Sequence, residues 1–265
     1  MGTVFSFDVR GCADDSRTRE ALGRAVAFLH RMDAVFSTYR EDSDVSRLVR
    51  GELTLEDCDP VVREVRLLCE EAERRTEGWF TAGYGRRAGL PVAWDPTGLV
   101  KGWATERAAH LMAEAVPEAA VCVNGGGDIQ LLGGPWRIGI ADPLAPGELA
   151  TVVEVGAEVP CAAIATSGPA ERGCHILDPH TGAPPAHALA ALTVVCPSLT
   201  DADALATAAY ARGESARAWL ERQPDTESFA TESDGTAWQT SGFGRWPSRR
   251  SGAGRPPAQS GQNRE

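Results

Sequence analysis

Lysine is almost missing from this chain. Of 26 basic residues, 25 are arginine and one is lysine, Lys101. The plain reading of that bias is a GC-rich genome. It also makes the one retained amine worth tracing, because a compact ammonium and a planar guanidinium are not interchangeable. Long apolar runs are missing as well, and no stretch reaches the roughly 18 residues of a membrane-spanning helix. The opening MGTVFSFDV has no basic stretch leading into an apolar one and no lipobox cysteine. A secretory signal and a lipid anchor are therefore not expected, and the expected location is the cytoplasm. None of the seven cysteines (Cys12, Cys58, Cys69, Cys122, Cys161, Cys174, Cys196) belongs to a CxxC pair. Scattered reduced thiols, mostly small core residues, are expected. Basic charge is outnumbered, with a net charge of -11 and a pI near 5.0. That excludes general binding to nucleic-acid backbones but not a small anion held by a metal ion. The 28 glycines and 17 prolines follow no period, which excludes collagen and solenoid architectures.

What is present is ordinary globular material, 43% hydrophobic over 265 residues, enough for a sizeable core. From Arg245 the chain turns to Pro, Gly, Ser and Arg without apolar periodicity, so residues 245–265 are expected to be a disordered basic tail. The tail carries +4, which leaves -15 on residues 1–244. Within 1–244, Val4 to Val9 alternates like a strand. Leu22, Val26, Leu29, Met32 and Phe36 repeat at helical spacing. Asp59-Pro60 reads as cap and first turn of a second helix that presents Val61, Val65, Leu68 and Ala72. Lys101 to Ala115 reads as a third helix, with Ala104, Ala108, Leu111 and Ala115 inward. β-like runs follow at Ala120–Asn124, Trp136–Ala141, Thr151–Val155 and Leu192–Cys196. Thr200–Arg212 is a fourth helix stopped by Gly213, Ser215–Arg222 a short fifth, and a hairpin turns at Asp234-Gly235. The elements do not alternate regularly, which favours an α+β fold with mixed sheets and packed helices over a doubly wound sheet.

Four stretches carry chemistry, each with a plainer alternative. Asn124-Gly-Gly-Gly-Asp128 follows a strand; it is either a ligand loop or a tight turn. Asp203 and Thr207, four apart on one helix face, offer two hard oxygens to Mg²⁺, yet Thr200-x-x-Asp203 also reads as a capping box. His175-Ile-Leu-Asp178-Pro-His180-Thr-Gly182 follows an expected small-residue loop, Ala165 to Gly168; Asp178-Pro179 is in part turn chemistry, while His175 is the better functional candidate. Asp95-Pro-Thr-Gly98-Leu-Val-Lys101-Gly102 leads into the third helix, where either an anion or a simple cap is served.

Taken in order, these stretches resemble the ApbE family of flavin transferases, which move FMN from FAD onto a protein threonine. The resemblance runs from Met1-Gly2-Thr3 through Ser37-Thr38-Tyr39 with Ser43 and Ser46, then Gly78-Trp79-Phe80 and Asp95 to Gly102. It continues through Asn124 to Ile129, Trp136 to Ile140, Thr166-Ser167-Gly168 and His175 to Gly182, and ends at Ala202 to Thr207. It implies a single domain over 1–244 and FAD as substrate. FAD-contacting positions would be Met1, Tyr39, Trp79, Phe80, Thr81, Asp95, Lys101 and Ile176. A Mg²⁺ site would use the Gly98 carbonyl, Asp203 and Thr207, and a catalytic base would be Asp203 or His175. The implied partner is an FMN-acceptor protein carrying a target threonine. Two other readings share the same site, an FAD pyrophosphatase yielding FMN and AMP and a non-catalytic flavin-binding module. The chain departs from the family pattern at Thr81 and Val49, where an acid and an asparagine are usual. It also departs in the short connection from Ala82 to Trp94.

Overall fold

The computed structural model describes residues 2–83, 94–169, 176–186 and 188–243, together with the backbone of 248–249. In chain order the elements are β1 (Phe5–Arg10), α1 (Ser16–Phe36), α2 (Asp44–Val49), α3 (Pro60–Arg75) and α4 (Thr97–Ala115). Then come β2 (Ala120–Gly125), β3 (Asp128–Leu132), β4 (Trp136–Ala141), β5 (Leu149–Val155), β6 (Cys161–Ser167) and β7 (Leu189–Cys196). The chain continues with α5 (Leu199–Arg212), α6 (Ala216–Leu220), β8 (Glu227–Glu232), β9 (Ala237–Gln239) and β10 (Ser248–Arg249). One sheet has seven strands in the order β1-β2-β3-β6-β7-β8-β9, and a second has three, β10-β5-β4. The α+β expectation holds, and every described strand pair is antiparallel.

Alternation along the central strands makes the layers. On β6, Ala163 and Ala165 face the helices, while Ala162 and Ile164 face the small sheet. On β7, Leu192, Val194 and Cys196 lie on the helical side and Val195 on the other. Helices α4 and α5 cover one face of the large sheet, and α1 packs outside α4. Trp136, Val153, Phe229 and Phe243 fill the space between the sheets. The small residues Ala163, Ala165, Ala202, Ala206 and Ala209, all buried, let α5 lie close on the sheet. Among the described residues no helix is long and apolar enough to cross a membrane.

Local signals set most element ends. Asp59 caps α3 by accepting from the Val61 N–H, with Pro60 in the first turn. The hairpin at Asp234-Gly235 forms as expected, with Gly235 at φ +85°. The buried stripe of α1 runs through Ala21, Ala25, Leu29, Met32 and Phe36, so the expected Val26 is exposed. Small side chains at 21 and 25 allow the closer approach to α4. On α3 the fully buried line is Val62, Val65, Cys69 and Ala72, one position past the expected Val61 and Leu68.

Three expectations are corrected. The third helix opens at Thr97, not Lys101, because the Asp95 carboxylate accepts from the Thr97 N–H and the Pro96 carbonyl accepts from Leu99 and Val100. The cap of α5 is Ser198, whose hydroxyl accepts from the Asp201 N–H at 3.3 Å, so Thr200-x-x-Asp203 is not a capping box. Ala165 to Ser167 is strand, the end of β6, because it pairs antiparallel with Val194, Thr193 and Leu192 of β7. Of the expected tail, Ser248–Arg249 pair with Val153 and Val152 of β5. The rest of 245–265 lies outside the described residues.

Candidate active site

The site grows from the contact between α4 and α5. A methyl group added at Gly102 would lie 2.7 Å from the Leu199 carbonyl oxygen and 2.8 Å from the Asp203 Cβ, so only glycine allows this separation. One turn earlier, a methyl at Gly98 would lie 3.3 Å from the Phe80 ring and 4.0 Å from the Thr207 methyl. Gly98 and Gly102 on one helix thus face Thr207 and Asp203 on the other. The Asp203 carboxylate is buried, and its Oδ2 accepts from the Gly102 N–H at 3.1 Å. In a regular helix that N–H bonds to the Gly98 carbonyl, so Asp203 competes for the donor of the carbonyl the resemblance names as a ligand. The structure therefore brings together the three positions named for Mg²⁺, a carboxylate, a hydroxyl and a carbonyl, all hard oxygen donors suited to that ion.

Side chains from two other elements hold α5 in register. Glu106 of α4 accepts from the Ser198 hydroxyl at 2.9 Å, the Thr200 N–H at 2.8 Å and the Thr200 hydroxyl at 2.6 Å. Gln130 of β3, fully buried, accepts from the Leu199 N–H at 2.9 Å. The donors at the helix start are thereby satisfied by residues that also fix where Asp203 sits, one turn inside. Sequence reasoning missed both residues, since a buried glutamine on a strand and a glutamate on a helix carry no spacing signal.

Lys101 lies in the second turn of α4 and forms an ion pair with Asp128 at the start of β3. The three glycines before Asp128 are a tight turn: Gly126 and Gly127 have φ +61° and +92° and join β2 to β3 in two residues. A Cβ at Gly125 would lie 2.5 Å from the Thr105 hydroxyl, and one at Gly126 would lie 2.1 Å from that of Thr3. The glycines let the hairpin seat against α4 and the N-terminal segment.

The other expected positions are spread over neighbouring loops and the core. The Ser37 carbonyl accepts from the Ser43 hydroxyl at 2.6 Å and the Ser46 hydroxyl at 3.3 Å, which braces the loop presenting Tyr39, 93% exposed. Phe80 is buried against Gly98, while Trp79 is half-buried and meets the His180 ring edge-on at 4.6 Å. The Arg212 guanidinium at the end of α5 lies over both Trp79 and Trp219, at 5.4 and 4.8 Å, and pairs with Glu77. The Thr81 hydroxyl accepts from the Gly83 N–H, and the Asp95 N–H donates to the Ala82 carbonyl at 2.7 Å, joining the two ends of the short connection. Residues 84–93 of that connection lie outside the described residues. Burial, with the Asp95 charge second, pushes the Cys69 thiol up to about 12. Ile176 is buried in the main core. Asp178 is a turn residue, accepting from the His180 N–H through its carboxylate and from Thr181 and Gly182 through its carbonyl. Met1 and His175 lie outside the described residues.

A buried carboxylate, a hydroxyl-bearing side chain and a close-packed helix start thus lie on the same two helices as a paired lysine. Comparison with known proteins gives that site its family. The ApbE family model matches residues 85–230, just over half of the chain, and the chain belongs to the ApbE family. A FAD:protein FMN transferase of Haemophilus influenzae is 31% identical over 139 residues, 47% of this chain and 39% of that protein. This chain thus matches well under half the length of that relative. Among solved structures, the ApbE protein of Thermotoga maritima superposes with a TM-score of 0.76 at 21% identity, covering 92% of this chain and 99% of that one. The flavin transferase ApbE of Vibrio cholerae gives 0.74 at 21% identity, over 92% and 98%. The flavinyl transferase ApbE of Pseudomonas stutzeri gives 0.73 at 23% identity, over 92% and 97%. At these identities the likeness is one of fold.

Proposed function

We propose that this chain is a Mg²⁺-dependent FAD:protein FMN transferase. One observation carries the reading: Gly98 and Gly102 of α4 set Asp203 and Thr207 of α5 against the helix start that also bears Lys101. Gly98, Asp203 and Thr207 would hold Mg²⁺, which when bound supplies Lewis-acid polarisation of phosphoryl oxygens. The donor set is all hard oxygen with one ionised member, which fits that ion. Lys101 adds a point charge toward the diphosphate. Tyr39, exposed, and Trp79, half-buried, offer aromatic faces for a ring ligand.

In the reaction, the hydroxyl of an acceptor threonine attacks the FMN-side phosphorus. A phosphoester bond forms, the anhydride bond to AMP breaks, and the hydroxyl proton passes to a base. Asp203 and His175 are the candidates for that base. The haemophilus relative carries this activity in its name, which supports the reading along the shared segment.

The test is incubation with FAD, Mg²⁺ and a protein domain carrying an FMN-acceptor threonine, read by flavin fluorescence of the denatured acceptor on a gel. A fluorescent acceptor band is expected. FMN and AMP released without labelling of the acceptor would instead identify a pyrophosphatase, and FAD bound without turnover would identify a binding module.

A further inference from the structure

The Asn124 to Asp128 stretch has been explained as a turn, but its last residue has not. Asp128 is among the most buried charged residues described, with its side chain 2% exposed. It stands on β3 at the same face as Gln130 and so points to the helical layer. Its Oδ2 pairs with the Lys101 ammonium, and its Oδ1 accepts from the Thr166 N–H of β6 at 3.4 Å. The Lys101 side chain is 16% exposed, so it is not sealed in the core as Asp128 is. A buried carboxylate is retained only where a cation answers it. The cation here is the only lysine in the chain.

The surroundings fix the carboxylate rigidly. The two-residue turn at Gly126-Gly127 leaves β2 and β3 little freedom, and Gly125 packs on Thr105, one turn after Lys101 on α4. The Thr105 hydroxyl in turn donates to the Lys101 carbonyl at 2.7 Å. Strand and helix are thus locked at the point where the two charges meet.

We infer that Asp128 is a positioning residue: from β3 it fixes the place of the Lys101 ammonium so that the amine meets an anionic ligand, the FAD diphosphate, in one orientation. The inference rests on the flavin reading above. A flexible lysine that first had to be ordered would bind the same anion less tightly, because the ligand would bear the cost of ordering it.

The single lysine makes the test clean. Apart from the chain's own amino terminus, Lys101 is the one amine available to an acylating reagent, so its labelling rate can be read by peptide mass spectrometry in the full chain. In Asp128→Asn the partly buried ammonium loses its counter-charge and holds its proton less tightly. Labelling at pH 8 is expected to rise about tenfold, since a tenfold weaker hold gives tenfold more free amine. FAD affinity, read by fluorescence titration, is expected to fall at least about tenfold, the size of one charge-assisted contact. In a Lys101→Met background the same Asp128→Asn change is expected to leave FAD affinity unchanged. Asp128→Glu keeps the charge but displaces it: labelling stays slow while FAD affinity falls, which separates place from charge and serves if the Asn variant does not fold. The inference is overturned if a folded Asp128→Asn or Asp128→Glu variant binds FAD as the wild type does, or if the two single effects simply add in the double variant. If the wild-type chain binds no FAD, the flavin reading fails, and the labelling rates then decide on the ion pair by themselves.

Discussion

Replacing Gly102 with alanine tests the helix contact on which the site is built. In an exposed helix interior, glycine to alanine stabilises by about 1 kcal/mol through backbone entropy and propensity. Here the new methyl meets the Leu199 carbonyl oxygen at 2.7 Å and the Asp203 Cβ at 2.8 Å. Both atoms belong to one turn of α5, and α5 is pinned by Glu106 and Gln130. Relief therefore requires α4 and α5 to move apart by several tenths of an ångström, and overpacking of that kind costs about 1–3 kcal/mol. Against the propensity gain, the net expectation is a loss of up to about 2 kcal/mol, or up to roughly 8 °C in Tm for a chain of this size. The same displacement stretches the 3.1 Å bond from the Gly102 N–H to Asp203. FAD affinity in the presence of Mg²⁺ should then fall beyond what the stability loss explains. Gly23 is the internal control: it is an exposed glycine inside α1, with nothing within 4 Å of an added methyl. Gly23→Ala should raise stability by about 1 kcal/mol and leave FAD binding alone. Thermal unfolding and FAD titration of the two variants side by side are sufficient. A Gly102→Ala protein as stable as Gly23→Ala, with wild-type FAD affinity, would refute the argument that this close approach builds the site.

Three further outcomes are expected. Asp203→Ala should abolish FMN transfer while the protein remains folded, since a lost hydrogen bond to a charged group costs about 1.5–3 kcal/mol and the Gly102 N–H can turn to the Gly98 carbonyl; transfer at near wild-type rate with Mg²⁺ present would remove Asp203 from the site. Lys101→Arg should impair turnover although the charge is kept, because a longer, planar guanidinium pairing with Asp128 places its charge differently from a compact ammonium; unchanged FAD affinity and turnover would reduce the single lysine to an accident of codon use. Burial raises the thiols of Cys69 and Cys196 to about 12 and of Cys122 to about 11, from a usual value of 9.0. Below pH 9 both folded and unfolded chains hold these protons; above it the unfolded chain loses them first, so stability should fall progressively as pH rises from 9 toward 12. A urea midpoint that does not move between pH 8 and pH 10 would contradict that sign.

Much of the fold was legible because its signals are local. The Asp59-Pro60 start of α3, the Asp234-Gly235 hairpin and the alternation in β4 each depend on residues a few positions apart. So did the pairing of Asp203 with Thr207, which needs only the helical repeat. Letters alone put the start of α4 four residues late because Gly98 is a poor helix former, and its value lies in what faces it rather than in propensity. The cap of α5 was misplaced for a related reason. Ser198 and Thr200 are both acceptable caps by type, and the choice is made by Glu106, 92 residues away from Ser198 in sequence.

The order of motifs along the chain, the lone lysine and the run of three glycines belong to the sequence by itself, and they are enough to point to the family. Which of two readings each motif takes was decided only by tertiary structure. The glycines are a turn because β2 and β3 pair around them and Thr3 and Thr105 occupy the space a side chain would need. Asp203 is a buried carboxylate at a helix contact because α4 and α5 meet at two glycines four residues apart. Lys101 and Asp128 are a pair because a helix and a strand 27 residues apart in sequence pack face to face. Side-chain spacing along one element is fixed by the backbone repeat and can be read from letters. The distance between two elements is set by the volumes of everything packed between them, and no local pattern encodes that sum.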